Sequence, residues 1–85
     1  MAVSDYLKQL RDILKEKLQR DDISIIVIGS TMKISKSGQT IMTLQDKGQI
    51  VELNFQGKKY TYDKWYTKPP HLAQTILNVF QYQNL

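Results

Sequence analysis

The sequence predicts an α+β fold: an N-terminal helix, an antiparallel meander of four to five strands and a C-terminal helix. Three observations lead there. Apolar residues recur at helical spacing at both ends of the chain, they alternate with polar ones through the middle, and glycine-bearing turns punctuate that middle at short intervals. With 85 residues, residues 1–85 are read as one small domain, because a division would leave neither part enough side chains for a core. A core of this size leaves a net stability of about 3 to 5 kcal/mol, which dimerisation would raise.

Ser4 is an N-cap residue, Asp5 puts negative charge in the first turn, and Tyr6, Leu7, Leu10, Ile13, Leu14 and Leu18 follow at spacings of three and four. A helix over about residues 4–20 follows, with Lys8, Arg11, Asp12, Lys15, Glu16 and Arg20 on its solvated face. Asp21 and Asp22 sit at the wrong end of the helix dipole and mark its stop. From Ile23 the period shortens to two and β-branched residues dominate, so a buried strand begins there. Gly29 interrupts it, either as a bulge in one long strand or as a turn between two short ones. Ser35 to Gln39 reads as a hairpin loop, Asp46-Lys47-Gly48 as a second with Gly48 left-handed, and Gln56-Gly57 as a two-residue third. The strands between them run from about Thr40 to Gln45, Gln49 to Phe55 and Lys58 to Asp63.

The Gln56-Gly57 turn sets the last hairpin's register. Phe55, Leu53 and Val51 then face Lys58, Tyr60 and Tyr62 on the core side, leaving Ile50, Glu52, Asn54, Lys59, Thr61 and Asp63 outside. Met42 and Leu44 join Ile50 on that outer face if the register across Asp46 to Gly48 carries them there, a register the sequence leaves open. The three would form an apolar strip for a partner or a second protomer. Pro69 and Pro70 open a second helix over about residues 69–82, with Thr67 supplying a capping hydroxyl and Leu72, Ala73, Ile76, Leu77 and Phe80 forming the buried stripe.

Catalytic chemistry finds little material. The chain has one histidine, His71, and no cysteine, so a Ser-His-Asp arrangement and a metal centre both lack their components. Asp46, Glu52 and Asp63 read as solvated charges beside lysines and amides. The four glycines, Gly29, Gly38, Gly48 and Gly57, are too far apart for a phosphate-cradling loop. The chain is therefore read as a non-enzyme without cofactor or metal. The start Met1-Ala2-Val3-Ser4-Asp5 lacks a signal-peptide pattern, and the longest apolar run, Ile25 to Ile28, is four residues. A membrane span is not expected, and with no cysteine the expected compartment is the cytoplasm.

Twelve Lys plus Arg against eight Asp plus Glu give a formal charge of +4, which biases the chain toward anionic partners. The densest feature is Lys58 to Lys68, with four lysines, four aromatics and one acid. Lysines neutralise phosphates or carboxylates and aromatic faces stack on bases, so Lys58, Lys59, Lys64, Trp65 and Lys68 form the candidate binding surface. The alternative reading of Trp65 and Tyr66 is that they seal the joint between the last strand and the second helix.

Helix, antiparallel strands and helix in a small basic domain is an order that resembles the double-stranded RNA-binding domain and, more loosely, the small Alu proteins of the signal-recognition particle. The resemblance is one of element order. Where the RNA-binding family opens its second helix with a lysine-rich patch, this chain has Thr67-Lys68-Pro69-Pro70-His71, and no residue role is carried over. The sequence thus predicts a binding module whose basic surface meets nucleic acid or another acidic partner. The competing prediction is a protein-interaction, regulatory or phage-type inhibitor module, homodimeric through Met42, Leu44 and Ile50 or through a strand edge.

Overall fold

The structure is a computed structural model that describes residues 3–85. Helix α1 spans Asp5–Leu18, strands β1 to β5 span Ile23–Ile28, Thr31–Lys36, Gln39–Asp46, Ile50–Phe55 and Lys58–Asp63, and helix α2 spans Pro69–Tyr82. The expected N-terminal helix, meander and C-terminal helix are all present, with five strands in the antiparallel order β1-β2-β3-β4-β5.

Local chemistry accounts for the boundaries. The Leu7 N–H donates to Ser4 Oγ at 3.2 Å and opens α1. The helix closes two residues earlier than expected, because Gln19 turns left-handed and its N–H returns to the Lys15 carbonyl. Arg20 then leaves the helix axis to grip the Asp22 carboxylate at 2.7 and 3.0 Å and the Leu85 carbonyl at 2.6 Å. Gly29 is a turn residue rather than a bulge, with φ 59° between the paired ends Ile28 and Thr31. The Ser35 to Gln39 loop contracts to Ser37-Gly38, both at positive φ. The bulge lies elsewhere: pairing steps from Ile34–Met42 to Ser35–Thr40, so Ile41 is the extra residue in β3. At α2 the N-cap is Lys68 without a side-chain bond, and Thr67 does not cap. Prolines in the first turn have no N–H to satisfy, which removes most of the need for one.

Both helices lie on one face of the sheet. Helix α1 packs on β1, β2 and α2, while α2 reaches over Met42, Leu53, Phe55, Tyr60 and Tyr62. Leu7, Leu10 and Leu14 of α1 and Leu72 and Ile76 of α2 are fully buried against Met32, Ile34 and Val51 of the sheet. Val27, in the strand expected to be buried from Ile23 onward, is half-buried because β1 is an edge strand.

The placement of Met42 and Leu44 on the outer face is overturned: both are buried in the core. The reason is a register. Lys47 N–H meets the Ile50 carbonyl at 2.9 Å and closes a two-residue turn at Gly48-Gln49, which pairs Met42 with Phe55 and Leu44 with Leu53. A slip of one residue would have flipped the whole strand. Ile50 stays half-buried at the margin of the open face, across from Asp63. The strip Met42, Leu44, Ile50 therefore does not exist as a surface.

Candidate binding surface

The five residues singled out in the sequence fall at two ends of β5. Lys58 and Lys59 open the strand beside the Gln56-Gly57 turn, while Lys64, Trp65 and Lys68 follow its other end. A six-residue strand separates the ends by roughly 17 Å. Alternation puts Lys58, Tyr60 and Tyr62 on the helix side and Lys59, Thr61 and Asp63 on the open side, as their partners Phe55, Leu53 and Val51 are core residues.

Two of the lysines are occupied. Lys64 Nζ lies 2.8 and 2.9 Å from the Asp46 carboxylate oxygens and 5.5 Å from the centre of the Tyr6 ring. Asp46 also accepts from Ser4 Oγ and from the Gly48 N–H. Burial pushes this carboxyl up, but the Lys64, Ser4 and Gly48 donors outweigh it and hold its pKa below the usual carboxylate value. The Tyr6 hydroxyl donates to the Thr67 carbonyl. Burial, assisted by the Asp46 charge, pushes that phenol up to about 12. Ser4, Tyr6, Asp46, Lys64 and Thr67 thus form a polar clasp that ties α1 to β3 and to the β5–α2 connection. Lys59 lies 3.6 Å from Glu52, which also takes Lys47 at 3.2 Å. The Lys47 hydrogen bond, chiefly, holds the Glu52 pKa below its ordinary value.

Trp65 and Tyr66 do not seal the joint. They are 76% and 81% exposed. The Asp63 carboxylate accepts the Trp65 and Tyr66 N–H groups at 2.7 and 3.3 Å, and the Thr67 N–H reaches the Asp63 carbonyl at 2.8 Å, so the segment is a tight knuckle. Lys68 Nζ stands 5.0 Å from the centre of the Trp65 ring. These two residues join Gly48, Gln49, Asp63 and Lys64 around a shallow open pocket of about 330 Å³.

A larger groove was missed by the sequence reading. Between α2 and β5 lies an opening of about 370 Å³ walled by Phe55, Tyr60, Tyr62, Val79 and Tyr82, with Thr75, Asn78 and Gln83 as its polar groups. The tyrosines were expected beneath the sheet, and they do point to the helix side, but Tyr60 is 41% exposed. A legible signal existed: the last strand of a meander is an edge, so its inward side chains are covered from one flank only. His71, at the start of α2, is exposed. Among the described residues, no three His, Cys, Asp or Glu side chains converge as metal ligands, and no helix is long and apolar enough to cross a membrane.

Compared with known proteins, the chain matches no family profile, no curated protein and no solved structure.

Proposed function

We propose that this chain is a non-enzymatic binding module that docks an acidic protein surface at the Trp65-Tyr66-Lys68 knuckle and along β5. The carrying observation is the knuckle: two large aromatics are held out in solvent by the Asp63 turn, with a lysine over one of them. Exposed aromatics on a rigid turn supply contact area at little entropic cost, and they are enriched where proteins meet. The lysine pattern favours a protein over a nucleic acid. Lys59 and Lys64 already pair with carboxylates, which interrupts any row of cations that could follow a phosphate backbone. The open sheet face, with Lys33, Thr43, Asn54 and Thr61, carries no aromatic on which bases would stack.

Trp65 is the only tryptophan, so its emission reads the site directly. Titration with a peptide of mixed aspartate and valine is expected to give a saturable change that Tyr66→Ala and Lys68→Glu abolish without moving the thermal midpoint. A larger change with single-stranded DNA or duplex RNA, lost steeply as salt rises, would transfer the site to nucleic acid. A flat response to all of them removes the proposal.

A second reading, self-association, is supported by β1. This edge strand, Ile23–Ile28, carries no charge, and Ile26 and Ile28 are 46% and 70% exposed on the open face. Unguarded apolar edges pair with other strands.

A further inference from the structure

The groove between β5 and α2 borders a free strand edge, and the two together make a site for an added strand. The phase of the ladder shows which backbone groups are free. Lys64 N–H donates to the Gln49 carbonyl at 3.0 Å, so the hydrogen-bonded pairs along this hairpin are Phe55–Lys58, Leu53–Tyr60 and Val51–Tyr62. The N–H and C=O groups of Lys59 and Thr61 consequently point away from the sheet. The Asp63 carbonyl, in the same outward phase, is the one that takes the Thr67 N–H. An antiparallel segment laid along β5 would meet both residues with four backbone hydrogen bonds.

Side chains of such a segment alternate. Every second one enters the groove between Tyr60, Tyr62, Val79 and Tyr82, where the walls are aromatic and aliphatic. Charge selects the flanks. Helix α2 has no Lys, Arg, Asp or Glu from Pro69 to Tyr82, and the groove lining contains no acid. Lys58 stands on the helix side at one end of β5, and Lys68 follows the other. The one acid of β5, Asp63, faces the open side and is engaged by the knuckle N–H groups. The walls therefore suit an apolar or aromatic side chain, and the ends suit carboxylates.

We infer that β5 is extended by a strand of a partner protein, an extended peptide with alternating aromatic or aliphatic residues flanked by Asp or Glu. The inference rests on the acidic-partner reading above and specifies how that partner is held. The test is selection from a displayed library of random peptides about nine residues long, followed by amide hydrogen exchange of the protein with and without the enriched peptide. The expected sequences alternate apolar residues between acidic ends, and their binding protects the Lys59 and Thr61 amides, which exchange freely beforehand.

Thr61→Pro removes one outward N–H that β4 does not use, so the sheet tolerates it, and affinity should fall roughly tenfold or more. Tyr82→Ala, at a side chain 89% exposed, should weaken binding without touching the core, and exchange on the unaltered protein serves should Thr61→Pro fail to fold. Enriched peptides that shift Trp65 emission yet leave the Lys59 and Thr61 amides unprotected would overturn strand addition and leave the acidic-partner reading standing. No enrichment overturns the inference, and together with a flat Trp65 titration it overturns both.

Discussion

Asp46 shows how a residue that reads as a solvated charge becomes structural. In sequence it sits in a turn between polar neighbours, and nothing marks Ser4, 42 positions away, as its partner. In the fold it collects Ser4, Gly48 and Lys64, and the Tyr6 phenol beside it is raised in pKa by burial first and by the Asp46 charge second. Lys64 is thereby withdrawn from the binding surface on which the sequence placed it. The clasp also sets a pH dependence. The Tyr6 pKa is raised in the fold, so its contribution is fully present below its unfolded value of 10.0 and is lost as pH rises through about 12. The loss amounts to about 2 to 3 kcal/mol. Asp46 behaves oppositely, with a lowered pKa: its contribution is present above the ordinary carboxylate value and disappears as pH falls through the folded one. Urea midpoints measured across this range should therefore decline steeply between pH 10 and 12. Tyr6→Phe should flatten that decline and cost about 1 kcal/mol at neutral pH through the lost bond to Thr67.

At the scale of elements, turns carry the specification. The Gln56-Gly57 hairpin was legible because two residues between strands of β-forming character leave few geometries. Both turn residues adopt positive φ, 52° and 77°, which is the arrangement that favours Asn-Gly. A Cβ on Gly57 would meet nothing within 4 Å, so the penalty for substitution there is conformational. Gly57→Ala is expected to lower stability by about 1 kcal/mol, and Gln56→Asn to raise it by a few tenths, roughly 0.3 to 0.8 kcal/mol, as measured by chemical denaturation. The Asp46 to Gly48 turn was less legible. Its glycine was placed correctly, but the turn proper is Gly48-Gln49, which shifts the register by three residues, an odd number, and so moved Met42 and Leu44 from an imagined interface into the core.

For the whole molecule, the meander leaves two edges and one bare face. Both helices cover the same side, and the edges differ in character: β5 opens with Lys58 and Lys59, whereas β1 is uncharged. Lysines discourage indiscriminate pairing, so an assembly through β1 alone would close as a two-fold dimer instead of growing. Antiparallel pairing that opposes Ile25 to the Val27 of a second copy sets Ile26 against its own twin on the open face. Ile26→Lys would place two like charges there. If the chain self-associates, light-scattering mass should be that of a dimer at high concentration and of a monomer for the variant. A monomeric mass for the unaltered chain at every concentration removes the second reading.

The sequence by itself determined what depends on neighbours along the chain: two amphipathic helices, strand-forming segments, the tight turns and their order, since capping, φ preference and hydrophobic period are local properties. It also marked the basic aromatic segment after residue 57. Only the tertiary structure decided which lysines are free, because Glu52 and Asp46 reach Lys59 and Lys64 across strands, and pairing between strands depends on register. It decided as well that α2 leaves the flank of β5 uncovered and that Trp65 and Tyr66 stand in solvent. Those outcomes follow from how two helices share one face of a five-stranded sheet, a packing problem of the whole chain that no local pattern encodes.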